Sequence, residues 1–85
     1  MTYRTVYLGK QIAAKFDGTA WGLFVDGQML TADRPSWLGI TVLQAHLRSA
    51  SGAQTPILVS IRQTLFSETK CLLKVDDLSI EMSPA

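Results

Sequence analysis

The chain is short of the residues on which most site chemistry depends. It has one cysteine, Cys71, and one histidine, His46. A single thiol excludes an intramolecular disulfide and any cysteine-based zinc cluster, and it suits a reducing compartment, so the cytoplasm is the expected location. A lone histidine has no second imidazole at helical spacing with which to hold a metal, and no G-x-S-x-G elbow supplies it with a nucleophile. The glycines, at 9, 18, 22, 27, 39 and 52, are scattered singly, which removes the G-x-G-x-x-G and P-loop phosphate cradles. No catalytic residue, metal ligand or cofactor is expected from these patterns, and the chain reads as a non-enzyme.

Charge is scarce too. Eight Lys and Arg stand against seven Asp and Glu, and charged residues make up 18% of the chain, against about 25% in typical domains. With no charged tail, there is no long-range field to draw in a polyanion. Apolar runs are short, three residues at most or four if Pro56 is counted, so no segment reads as a membrane span or an export leader.

Apolar residues are in surplus, at 47% of 85. A chain of this length makes one domain, here spanning 1–85, and buries only about 60–65% of the surface its unfolded form exposes. The remainder must stay exposed or be covered by a partner. The composition therefore points to docking of another protein or of a second copy, with a homodimer as the expected assembly.

The pair Asp-Gly occurs twice, at Asp17-Gly18 and Asp26-Gly27. It favours two-residue hairpin turns because both central positions need positive φ, which Gly adopts freely and Asp tolerates. A pair of such turns sets Phe16 against Thr19, Ala14 against Trp21 and Ile12 against Leu23, and then Val25 against Gln28, Leu23 against Leu30 and Trp21 against Ala32. One face of the meander then carries Ile12, Ala14, Phe16, Trp21, Leu23, Val25 and Leu30. A slip of one residue would send that whole set into water, so the register is strongly specified. As metal ligands the aspartates fail, because Asp17 and Asp26 would stand about 30 Å apart at ~3.3 Å per residue, and no calcium-loop pattern surrounds them or Asp33.

The opposite face holds Gln11, Ala13, Lys15, Ala20, Gly22, Phe24, Met29 and Thr31. Its side chains are small except for the pair Phe24 and Met29, so it can accept a close neighbour. That pair, with Gln11 and Lys15 at the rim, is the candidate protein-docking site, and Leu72 between two lysines is a further candidate. The alternative reading is a nucleic-acid face built from Tyr3, Arg4, Tyr7, Lys10 and Lys15, since aromatics among cations can stack bases and hold phosphates.

For the rest, "TYRTVYL" alternates as a strand, with Gly9 breaking it or bending it into the next. "DRPSWLGITVLQAHLRSASG" predicts a helix capped by Asp33 or Ser36, with Pro35 in its first turn, Gly52 at its end, and Ile40, Leu43, Leu47 and Ala50 as its apolar stripe. The β-branched "GITV" conflicts with that helix unless it begins near Thr41. "TPILVSIR" and "KCLLKV" read as strands, with Leu65 and Phe66 in the connection between them. "LSIEM" adds a last short strand whose edge could pair with another chain, and 83–85 are expected to fray. The predicted fold is α+β, a small antiparallel sheet with one helix packed across a face.

Overall fold

The computed structural model describes residues 1–36, 39–63 and 68–85. Its regular elements are eight strands, β1 (Thr2–Tyr7), β2 (Lys10–Phe16), β3 (Trp21–Val25), β4 (Gln28–Asp33), β5 (Ile40–Arg48), β6 (Gln54–Arg62), β7 (Lys70–Val75) and β8 (Leu78–Pro84). They form one antiparallel sheet in the order β4-β3-β2-β1-β8-β7-β6-β5, rolled into a nearly closed barrel. The fold is all-β, not α+β.

The predicted helix is β5. Its sequence carries two periodicities at once. Leu43 and Leu47 fit a helical stripe, but Thr41, Leu43, Ala45 and Leu47 also fit a strand of period two, and these four point inward while Ile40, Val42, Gln44, His46 and Arg48 are exposed. β5 pairs along its full length with β6, from Ile40↔Arg62 to Arg48↔Gln54. The β-branched residues that conflict with a helix suit a pleated, half-buried surface. Gly39 marks a close approach: a Cβ there would lie 2.7 Å from the Gln63 carbonyl oxygen, and Gln63 N–H donates to Gly39 O. Gly52, expected to end a helix, has φ +86° in the turn joining β5 to β6, where Gly52 N–H donates to Ser49 O at 3.0 Å.

The first half turns where Asp-Gly is read as a turn, with two corrections to the register. Asp17-Gly18 sits in a four-residue loop, so Phe16 faces Trp21, Ala14 faces Leu23 and Ile12 faces Val25. The shift is by two residues, which leaves every side chain on its expected face. Asp17 Oδ1 accepts from the N–H groups of Thr19 and Ala20, both at 2.8 Å. At Asp26-Gly27 the tight turn forms as expected, with φ of 49° and 85°, and Asp26 Oδ1 also accepts from Gln11 N–H. Beyond it a bulge interrupts β4, so that Leu23 faces Thr31 and Trp21 faces Asp33. Leu30 is thereby displaced from the core face and is 40% exposed. Gly9 neither breaks nor bends a long strand, because Leu8-Gly9 closes a hairpin with both residues at positive φ.

Two hydrogen bonds to Asp17 have a consequence in acid. The Ala20 N–H, and next the Thr19 N–H, hold its carboxyl below the ordinary carboxylate value. A depressed folded pKa contributes stability that is complete above about pH 4 and is lost as the pH falls through the lowered value. The melting-temperature gap between the wild type and Asp17→Ala is therefore expected to be largest near neutrality and to narrow as the pH falls below the ordinary carboxylate range.

Inside the barrel, Ile12, Trp21, Leu23, Leu43, Val59, Ile61, Leu73 and Val75 are among the residues sealed from solvent. They come from both halves of the chain and form one core cluster. β8 closes the wall rather than offering a free edge: it pairs with β7 and, through Arg4↔Ser83 and Tyr3↔Pro84, with β1. The tail expected to fray is pinned, since Ala85 N–H donates to Thr2 O at 2.9 Å. The free edges are β4 and β5, which end the strand order and run side by side without a ladder. Leu65 and Phe66 lie outside the described residues.

Candidate docking surface

The outer face of β2, β3 and β4 is built around one glycine. A Cβ at Gly22 would stand 2.8 Å from Phe24 Cε1 and 3.4 Å from Met29 Sδ. The bare backbone lets the Phe24 ring lie down on the sheet beside its cross-strand partner Met29. Lys15 Nζ is 4.8 Å from the ring centroid, a cation–π contact in range for attraction. Phe24 is consequently half-buried by its own neighbours, whereas Met29 is 57% exposed. Lys15, Phe16, Asp17, Gly22, Phe24 and Met29 line a shallow concavity of about 300 Å³. A smaller hollow beyond Lys15, about 170 Å³, is bounded by Arg4, Gln11 and Ala13. Gln11 is exposed at that rim, and its backbone is fixed in both directions by Asp26.

Exposed apolar side chains also flank the two ends of the open seam. Met29 and Leu30 on β4, with Ile40 (44% exposed) and Val42 (43%) on β5, make up four of the eight large hydrophobic residues exposed among those described. Half of this apolar exposure thus falls on the two strands that end the sheet order. Lower in the seam, Val25, Leu30 and Leu47 form the apolar part of a cleft of about 250 Å³, with Lys10, His46 and Arg48 also on its walls. Leu30, Ile40 and Val42 were absent from the sequence-predicted site. The period-two pattern of "ITVLQAHLR" was the signal for two of them, and no signal marked the bulge that exposes Leu30.

The other candidates are dispersed. Leu72 is half-buried on the outer wall between Ser60 and Glu81, with β1 and β8 separating it from the strand that carries Lys15. Tyr3 is buried in the core and Tyr7 packs against it, while Arg4 is exposed on the outside. The tyrosines therefore share no surface with Arg4 and Lys15, and Lys10 stands at the β2 terminus opposite Tyr7.

His46 is exposed opposite Pro56. With Gln44, Lys74 and Asp76 it borders an open hollow of about 430 Å³. Among the described residues no three His, Cys, Asp or Glu side chains converge as a metal site. Cys71 is sealed in the core, and burial pushes its thiol up to about 12. The thiolate is the reactive form. Native Cys71 is accordingly expected to react with a disulfide reagent at neutral pH at least ~100-fold more slowly than the urea-unfolded chain, as followed by thiolate release.

No family model, no curated protein and no solved structure matches this chain.

Proposed function

We propose that the protein is a non-enzymatic docking module that binds a second copy of itself through the Phe24–Met29 face and the adjoining β4–β5 seam. The supporting observation is the placement of exposed apolar side chains on the two edge strands: Met29 and Leu30 lie on β4, Met29 beside the Phe24 ring that lies against Gly22, and Ile40 and Val42 lie on β5. Such a patch costs solubility unless something covers it. The concavity beside it carries one cation, Lys15, and one anion, Asp17. A two-fold contact can set each against the opposite charge of the partner copy, which favours self-association over a partner of one strong sign. Gln11 and Lys15 orient the contact from its edge.

Light scattering across a dilution series tests this reading. The module is expected to show twice the 9.3 kDa chain mass at high concentration and to dissociate on dilution. A particle of single-chain mass at every concentration, up to about millimolar, contradicts it.

A further inference from the structure

The charged residues are sorted by position. Outward-facing strand positions carry Arg4, Lys15, Arg48, Arg62, Lys70 and Lys74, six of the eight basic residues, and a single acid, Glu81. The remaining acids lie in turns and loops or, for Asp33, at the last position of β4. A net charge of +1 therefore conceals a cationic wall with acidic ends. Among the described residues these cations have no carboxylate partner within ion-pairing distance.

Part of the wall is organised as a row. Arg62 stands directly across from Lys70. Cys71↔Met82 places Lys70 beside Ser83, and Ser83 pairs with Arg4. Arg4, Ser83, Lys70 and Arg62 thus cross four adjacent strands, a span of about 14 Å at ~4.8 Å per strand. Like charges directly opposite each other weaken a sheet, and here they are exposed with no carboxylate of the described residues in ion-pairing range, Glu81 lying two residues along β8 from Ser83. An anion able to bridge two cations relieves that repulsion, and phosphate does so with several acceptor oxygens.

We infer that this row is a binding surface for single-stranded nucleic acid, contacted through its phosphates. Shape decides among polyanions. The four strands belong to a rolled sheet about 24 × 22 Å in cross-section, and a flexible strand follows that curve more closely than a stiff duplex or a flat bilayer. Among the described residues no aromatic side chain accompanies the row, since Tyr3 and Tyr7 point inward and Phe24 lies on β3 beyond β2, so the contact read from them is to phosphate and not to base. The inference does not require the docking contact, although the row adjoins that surface at both ends, where Arg62 faces Ile40 and Arg4 borders the hollow beyond Lys15.

Fluorescence anisotropy with a labelled oligothymidine of about 12 nucleotides tests it. Three phosphate contacts give a salt slope near −2, so affinity is expected to fall about 100-fold between ~20 and ~200 mM salt. R62E/K70E is expected to lose at least 10-fold of the low-salt affinity, whereas K10E stays within about twofold; R62Q/K70Q shows the same direction if the glutamates disturb folding. A duplex of equal length should bind at least 10-fold more weakly. Absence of low-salt binding, indifference to both double variants, or equal binding of polyglutamate would each overturn the assignment, the last in favour of an acidic protein.

Discussion

Trp21→Ala is expected to lower folding stability by about 3–5 kcal/mol, a large share of the roughly 4–13 kcal/mol available to a domain of this size. Trp21 is sealed from solvent and lies between Phe16, at 5.3 Å between ring centroids, and Tyr3, at 6.3 Å. Removing the indole opens a cavity where three strands meet, and neighbours fixed in ladders can relax only partly. Its Nε1–H has no acceptor among the described residues. Trp21→Phe deletes that donor along with part of the ring, so the relief of an unsatisfied polar group offsets lost packing. It is expected to cost less than half as much as the alanine variant. Urea denaturation of the pair checks both values. Equal losses would show that the indole N–H is satisfied and stabilising.

Phe24→Asp is expected to weaken self-association by at least 100-fold, about 2.7 kcal/mol, while the monomer stays folded. The ring is outside the barrel, so its loss removes the Lys15 contact and uncovers Gly22 without opening the core. An aspartate there would also bring an unpaired charge into an apolar contact, which desolvation penalises strongly. Val42→Lys approaches the surface from the opposite side of the seam and is expected to act in the same direction, as lysines do on strand edges. Sedimentation equilibrium measures the association, and circular dichroism reports the fold. An unfolded Phe24→Asp monomer would make Phe24 a structural residue, and both variants dimerising normally would remove the docking surface.

The sheet faces of β2 and β3 were legible because hydrophobic parity and turn chemistry point the same way, whereas the bulge overturned that of β4 beyond Met29. Parity also survived the misplacement of the Asp17 turn, since the loop added two residues and two is the period of a strand. The helix prediction failed for a comparable reason. Residues 40–50 satisfy both periodicities, and only the long-range ladder to β6 chooses between them. Leu8-Gly9 was not read as a hairpin because leucine at φ 52° is an unfavourable occupant of a left-handed position. Phe24, Met29, Gln11 and Lys15 could be grouped from sequence alone, as they share a face of one meander. The seam could not, because β4 and β5 become free edges only once β1 pairs with β8. The cationic row is likewise invisible in sequence, its cations being separated by up to 66 positions, from Arg4 to Lys70.

The docking claim is tested most directly at the methyl group of Met29, using methyl-labelled methionine and a soluble paramagnetic reagent. Met82, 3% exposed, is the internal reference and should remain unaffected throughout. The account predicts that the Met29 signal is strongly broadened by the reagent in dilute protein and becomes protected as the concentration rises. A Met29 methyl equally accessible at every concentration would contradict it.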